Sequence, residues 1–105
     1  MKEKTVEELK AMLDHQEDFQ LIDVREAYEY DICHLNGLLI PMGEIPQRTA
    51  EIATDKPVII HCRSGKRSAN IIAYLESNFG FSNLYNLEGG ILAWADRIDP
   101  GMEKY

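Results

Sequence analysis

Strands that alternate with helical patterns along the chain predict an α/β fold built on a parallel sheet. Three passages carry that prediction. Pro57-Val58-Ile59-Ile60 is a proline entry followed by three β-branched apolar residues, and behind it Ile71, Ile72, Leu75 and Phe79 fall at helical spacing. Phe19-Gln20-Leu21-Ile22-Asp23-Val24 is apolar enough for a central strand. Phe81 to Asn86, centred on Leu84-Tyr85, leads into Ile91, Leu92, Trp94, Ala95 and Ile98, which make a final helix.

The elements follow in order. Thr5-Val6-Glu7-Glu8 is a capping box, a hydroxyl with a glutamate three residues on. Val6, Leu9, Leu13 and Met12 form the apolar stripe of a first helix that runs to about His15. After the strand at Phe19–Val24, residues Asp23, Arg25 and Glu26 sit at a C-terminal strand end, the edge that carries ligands in open α/β sheets. An ion pair that ties the strand end to its neighbours is the favoured reading there. Glu26 to Asp31 makes a turn or two of helix with Tyr28 and Tyr30 partly buried. Asn36-Gly37 marks a turn, and Leu38-Leu39-Ile40 is a short strand stopped by Pro41. Residues 43–53 read as a weak helix interrupted by Pro46 and anchored by Ile45 and Ile52. The long helix behind the central strand ends near Phe79 with Gly80 as a left-handed cap. Trp94 belongs to the core, and Asp99-Pro100-Gly101 ends the regular structure.

The chemistry concentrates after the central strand. Cys62 stands where that strand ends, and six non-apolar residues follow it: Arg63, Ser64, Gly65, Lys66, Arg67 and Ser68. A cysteine at a strand end is commonly no more than a small buried hydrophobe. The density of polar residues and the strand–loop–helix setting favour a reactive thiol instead. Loop amides can converge on the sulfur and the helix N-terminus adds partial positive charge, so thiolate is favoured over thiol. Arg63, Lys66 and Arg67 push the same way and suit an anionic substrate. His61 precedes the cysteine, so strand alternation turns it to the opposite face, where packing or a backbone hydrogen bond is expected. His34 is a candidate base for Cys62, although a histidine before a turn more commonly bonds to the backbone. Cys33 reads as an idle thiol, with a resolving role opposite Cys62 as the alternative.

Composition bounds the rest. The chain has 105 residues, 45 % of them hydrophobic, which suits one domain over residues 1–105 with a core that needs neither metal nor disulfide. A net charge of −7 argues against nucleic acid and anionic membrane partners, and makes three cations within five residues stand out. Two distant cysteines outside any CxxC spacing exclude a disulfide framework and a zinc ribbon and fit a reducing compartment. With no apolar leader after Met1, a cytoplasmic protein is expected, monomeric or weakly dimeric.

Four passages in order resemble the single-domain rhodaneses, a family of sulfurtransferases. Leu21-Ile22-Asp23-Val24-Arg25-Glu26 is similar to the family's first strand signature. Glu29-Tyr30 and His34-Leu35-Asn36-Gly37 are similar to its "E…GHIPGA" segment, Cys62 to Ser68 to its active-site loop, and Leu87-Glu88-Gly89-Gly90-Ile91-Leu92-Ala93-Trp94 to its closing "LxGGxxxW" motif. Three residues depart from the second passage: Cys33 stands where Gly is usual, Asn36 where Pro is, and Leu38 where Ala is.

The resemblance implies a three-layer α/β/α fold with a five-stranded parallel sheet. It implies a ping-pong reaction with no cofactor and no metal. In it Cys62 takes a sulfane sulfur from a small anionic donor such as thiosulfate and passes it to cyanide, a thiol or a protein acceptor. Arg63 would bind the donor's anionic end, Lys66 and Arg67 would add field or contact the donor, and Ser68 would reach the terminal sulfur. Backbone amides from Arg63 to Ser68 would ring the persulfide, Gly65 would let the loop curl, and Gly89 and Gly90 would be structural.

Two rivals remain open, and a third, a regulatory binding module, is disfavoured by the intact Cys62-Arg63 loop. A sulfur carrier would use the same cysteine to pass persulfide between proteins. A cysteine phosphatase or arsenate reductase would place an arginine after five intervening residues; that position is Ser68, and Arg67 comes one residue early.

Overall fold

The structure, a computed structural model, describes residues Met1 to Tyr105. Five parallel strands form one sheet, in the order β1-β5-β4-β2-β3. They are β1 (Glu3–Lys4), β2 (Gln20–Asp23), β3 (Leu38–Leu39), β4 (Val58–His61) and β5 (Leu84–Leu87). Four α-helices connect or follow them: α1 (Val6–Asp14), α2 (Ala27–Ile32), α3 (Lys66–Phe79) and α4 (Gly90–Arg97).

The central strand explains the layering. Val58, Ile59, Ile60 and His61 are all wholly buried, because helices cover both faces of a parallel sheet. Strand alternation sends Val58, Ile60 and Cys62 to one face, where they pack with Ile71, Ile72 and Leu75 of α3. Ile59 goes to the other face and meets Val6, Leu9 and Met12 of α1 and Trp94 of α4. Each such aliphatic side chain contributes about 1.5–3 kcal/mol on burial. The result is the expected α/β/α sandwich.

Register sets what lies beside the cysteine. β4 pairs with β2 so that His61 lies opposite Asp23, and with β5 so that Ile60 lies opposite Asn86. The C-terminal ends of β2, β4 and β5 therefore come together at one edge of the sheet.

Local expectations meet the structure with a few corrections. Thr5 caps α1 through the full capping box, its hydroxyl accepting from the Glu8 amide at 3.1 Å. Gly80 ends α3 with φ +71°. Residues 43–53 are not a weak α-helix: Met42–Gln47 and Thr49–Glu51 are 3₁₀ turns, as a proline inside the stretch enforces, and Ile45 and Ile52 are buried as expected. Leu13, Tyr28 and Phe79 are exposed at 40 %, 66 % and 47 %, so each lies off the buried face to which periodicity or partial burial assigned it. Met12 takes the place of Leu13 in the core. Strand β1 was not anticipated. It is two residues long and joins the edge of β5, with the ammonium groups of Lys2 and Lys4 over the Tyr85 ring at 4.8 and 4.9 Å. Asn36 adopts φ +65°, a conformation open to asparagine and closed to proline. The turn before β3 thus differs from the pattern in which proline stands at that position.

Candidate active site

Cys62 leaves the end of β4 and the chain turns at once into α3, whose first residue is Lys66. Gly65 makes the turn with φ +103°, a value that a side chain would strain. Its amide donates to Cys62 Sγ at 3.1 Å, and the amides of Ser64 and Ser68 also favour charge on the sulfur. No side chain caps α3. The sulfur receives the amides that a capping oxygen would otherwise take, and the helix dipole points its positive end at the same atom.

The loop is held in that curl from behind. The Ile91 amide donates to Cys62 O at 3.0 Å and the Leu92 amide to Arg63 O at 3.1 Å. The start of α4 thus ties down two loop carbonyls facing away from the sulfur. Gly90 has no room for a side chain: a Cβ there would lie 2.5 Å from Arg63 O and 2.7 Å from Cys62 O. This is the physical reason for the Gly89-Gly90 pair, and it agrees with the structural role expected of it.

Ser68 and Asn86 complete the floor. Ser68 Oγ lies 3.4 Å from Cys62 Sγ and 2.6 Å from Asn86 Oδ1, while Asn86 Nδ2 donates to Gly65 O at 3.0 Å. The hydroxyl has one proton for two acceptors. A charged sulfur draws it, and a neutral thiol leaves it with Asn86. Burial pushes the Cys62 thiol up. The Ser68 hydroxyl and the Ser68, Gly65 and Ser64 amides more than offset that, so the thiol ionises below its ordinary range. Cys62 is 1 % exposed, so these donors act in a water-poor site where they count for more than in bulk water.

The three loop cations differ in their engagement. Arg67 sends both terminal nitrogens to Glu29, each at 2.8 Å. Arg67, expected to add field or contact the donor, here clamps the loop to α2 through Glu29, which matches its charge. Arg63 and Lys66 are exposed and carry no ion pair and no side-chain hydrogen bond within the chain. They remain as the positive field at the site.

Glu29 is the side chain that sequence reasoning passed over as a site residue. It is 3 % exposed, and the Arg67 guanidinium holds its carboxyl down to about 2 against the cost of burial, helped by the Glu26 amide and the Tyr105 hydroxyl. A depressed carboxyl stabilises the fold above its unfolded value near 4.5 and loses that contribution as pH falls toward 2. Arg67 is 34 % exposed and partly screened, so the contribution is about 2 kcal/mol. Chemical denaturation of Glu29→Gln and the parent protein is expected to show that gap at pH 7 and a narrowing of it below pH 4.5.

Asp23 and Arg25 are structural, as the favoured reading had it. Arg25, wholly buried, places Nη2 2.7 Å from Asp23 Oδ2 and also donates to Cys33 O at 2.7 Å and to the Tyr105 hydroxyl at 2.9 Å. His61 is wholly buried. Desolvation holds its imidazole well below the ordinary range despite Asp23, so it stays neutral, and Nε2 has no hydrogen-bond partner. His34 is no base for Cys62: its Nδ1 lies 3.0 Å from Tyr30 O and its ring stacks on Tyr30 at 4.4 Å. Cys33 is buried and unbonded to Cys62, with Sγ 3.9 Å from Arg25 Nη1.

Asn86 and Tyr105 were also missed from the sequence. Asn86 carried a signal, a polar residue inside the otherwise apolar strand Leu84–Leu87. Tyr105 carried none, since it reaches the site across the whole fold. A groove of about 580 Å³, lined by Leu13, Phe19, Leu21, Leu35, Trp94 and Met102 among others, includes no residue of the Cys62 loop.

Similarity to known proteins agrees with this geometry. A "Probable adenylyltransferase/sulfurtransferase MoeZ" of Mycobacterium tuberculosis is 38 % identical over 104 residues, covering 96 % of this chain; the chain spans about a quarter, 26 %, of that relative. A protein of Allochromatium vinosum named sulfurtransferase is 42 % identical over 90 residues, 85 % of this chain and 83 % of its own. The crystal structure of a rhodanese-like domain protein from Staphylococcus aureus superposes with a TM-score of 0.83 at 36 % identity, covering 100 % of this chain and 99 % of that one. The family model of the rhodanese-like domain matches residues 5–97, from the cap of α1 to the last residue of α4. By sequence, sheet order and the loop at the end of β4, the chain belongs to the rhodanese-like domain family.

Proposed function

We propose that the protein is a sulfurtransferase that moves a sulfane sulfur from an anionic donor such as thiosulfate to cyanide or a thiol through a Cys62 persulfide. The observation that carries this reading is the Cys62 sulfur under converging amides, beside two cations, Arg63 and Lys66, that no carboxylate in the chain pairs. The Cys62 thiolate attacks the sulfane sulfur of thiosulfate. The S–S bond of the donor breaks and sulfite leaves with the electron pair. The charge moves one atom outward onto the terminal sulfur, still within reach of the loop amides and of Ser68. Cyanide then attacks that terminal sulfur, thiocyanate forms, and the thiolate is restored. No proton, metal or external redox partner enters either half-reaction.

The geometry also argues against phosphoryl chemistry. The position that a phosphatase loop gives to arginine is Ser68, buried and bonded to Asn86, and the neighbouring Arg67 is committed to Glu29. Initial rates over a grid of thiosulfate and cyanide concentrations test the proposal. Parallel double-reciprocal lines are expected, because the first product leaves before the acceptor binds. Intersecting lines, or hydrolysis of a phosphate ester at comparable rates, would contradict it.

A further inference from the structure

We propose that Tyr105 positions Arg63 over the Cys62 loop and so sets the preference of the site for anionic reagents. The inference rests on the reading of Arg63 as the contact for the donor's anionic end. Arg63 is exposed and bonded to no carboxylate, so nothing polar fixes its guanidinium. What it does touch is the Tyr105 ring, with Cζ 4.9 Å from the ring centroid. That ring is itself held. Its hydroxyl donates to Glu29 Oε2 at 2.7 Å and accepts from Arg25 Nη1 at 2.9 Å, and both partners are buried. Burial and the Glu29 carboxylate push the phenol up to about 12, so the donated hydrogen bond persists through the neutral range.

The segment after α4 delivers the ring to this place. It turns between Asp99 and Met102, packs Met102 against the cluster that contains Trp94, and pairs Lys104 with Asp96. Tyr105 lies beyond residues 5–97, so the stretch matched by the family model does not supply it. A loose arginine spends conformational entropy each time it engages an anion. An arginine already stacked on an anchored ring has lost most of that freedom in advance, and the stack leaves its in-plane N–H groups free to meet oxygens. Tyr105 is therefore a positioning residue. It acts through Arg63.

The test uses two alkylating probes of similar size, anionic iodoacetate and neutral iodoacetamide, with modification of Cys62 followed by peptide mass. The ratio of the two rates reports anion recruitment and cancels changes in thiolate content or general access. Tyr105→Ala is expected to lower the iodoacetate-to-iodoacetamide ratio about three- to fivefold. Tyr105→Phe, which keeps the ring but loses the two hydrogen bonds that anchor it, is expected to fall between the parent and Tyr105→Ala. In an Arg63→Ala background Tyr105→Ala is expected to change nothing further. An unchanged ratio in Tyr105→Ala, or an equal fall without Arg63, would overturn the proposal. So would a parent ratio no higher than that of Arg63→Ala, which would remove Arg63 as an anion contact as well. If the ratio falls as expected while Cys62 takes no sulfur from thiosulfate, the positioning role stands and the sulfur-transfer reading fails.

Discussion

Replacing Cys62 by serine is expected to abolish sulfur transfer, with a loss of at least roughly 10³-fold, while the protein still folds. The hydroxyl that replaces the thiol is not ionised at neutral pH, and no base stands by to activate it: His61 is neutral, buried on the other face, and His34 is bound to Tyr30. The fold should survive because oxygen can accept the same amides that cap α3 in the parent. Circular dichroism and a denaturation midpoint would confirm that survival beside the rate measurement. Cys33→Ser is the matched control. Its thiol is free and has its one polar neighbour in Arg25 Nη1 at 3.9 Å, and a rate within about threefold of the parent is expected, of the size that small repacking produces. A collapse of activity in a folded Cys33→Ser protein would assign that thiol a part in the cycle.

The second large effect is on stability. Arg25→Met is expected to cost about 3–5 kcal/mol, because it strands the Asp23 carboxylate in the interior. Asp23 is 1 % exposed and would keep one hydrogen-bond donor, the amide of residue 25 at 3.0 Å from Oδ1, with the neutral His61 Nε2 3.7 Å from Oδ2. The arginine also ties the Cys33 carbonyl and the Tyr105 hydroxyl to the end of β2. A domain of this size has a total stability of about 5–15 kcal/mol, so the variant should sit close to unfolding at moderate temperature. Urea titration at pH 7 reads the change directly. Removing both charges together, as Asp23→Leu with Arg25→Met, should recover part of the loss, since an apolar pair carries no desolvation cost. A midpoint shift of under about 1 kcal/mol for the single variant would show that water reaches Asp23 and that the pair is not the buried tie described here.

The sequence was most legible where local chemistry and tertiary demand agree. The apolar run from Val58 to Ile60 could only be a strand covered on both faces, and Cys62 with its polar loop could only lie at that strand's end. Gly65 and the Gly89-Gly90 pair announced tight backbone, and the structure shows the clash that any larger residue at position 90 would create. What stayed illegible is long in range. Arg67 reads as a free cation until α2 is folded against α3, which brings Glu29 to it across 38 positions. Tyr105 is 76 residues from the glutamate it binds, and no periodicity points there. Leu13 and Phe79 show the complementary limit: periodicity places them on a buried face, but both fall in the last turn of their helix and stay exposed. Strand β1, with two residues, is too short to carry any alternation, and only its pairing with β5 defines it.

Everything in the proposed reaction depends on Cys62 carrying the sulfur between donor and acceptor. Intact mass before and after incubation with thiosulfate or a glutathione persulfide, followed by a cyanide wash, tests it most directly. One added sulfur atom is expected, located on Cys62, removed by cyanide as thiocyanate, and absent from Cys62→Ser. A folded protein whose Cys62 alkylates normally yet gains no sulfur from either donor, or gains it on Cys33, would overturn that role for Cys62.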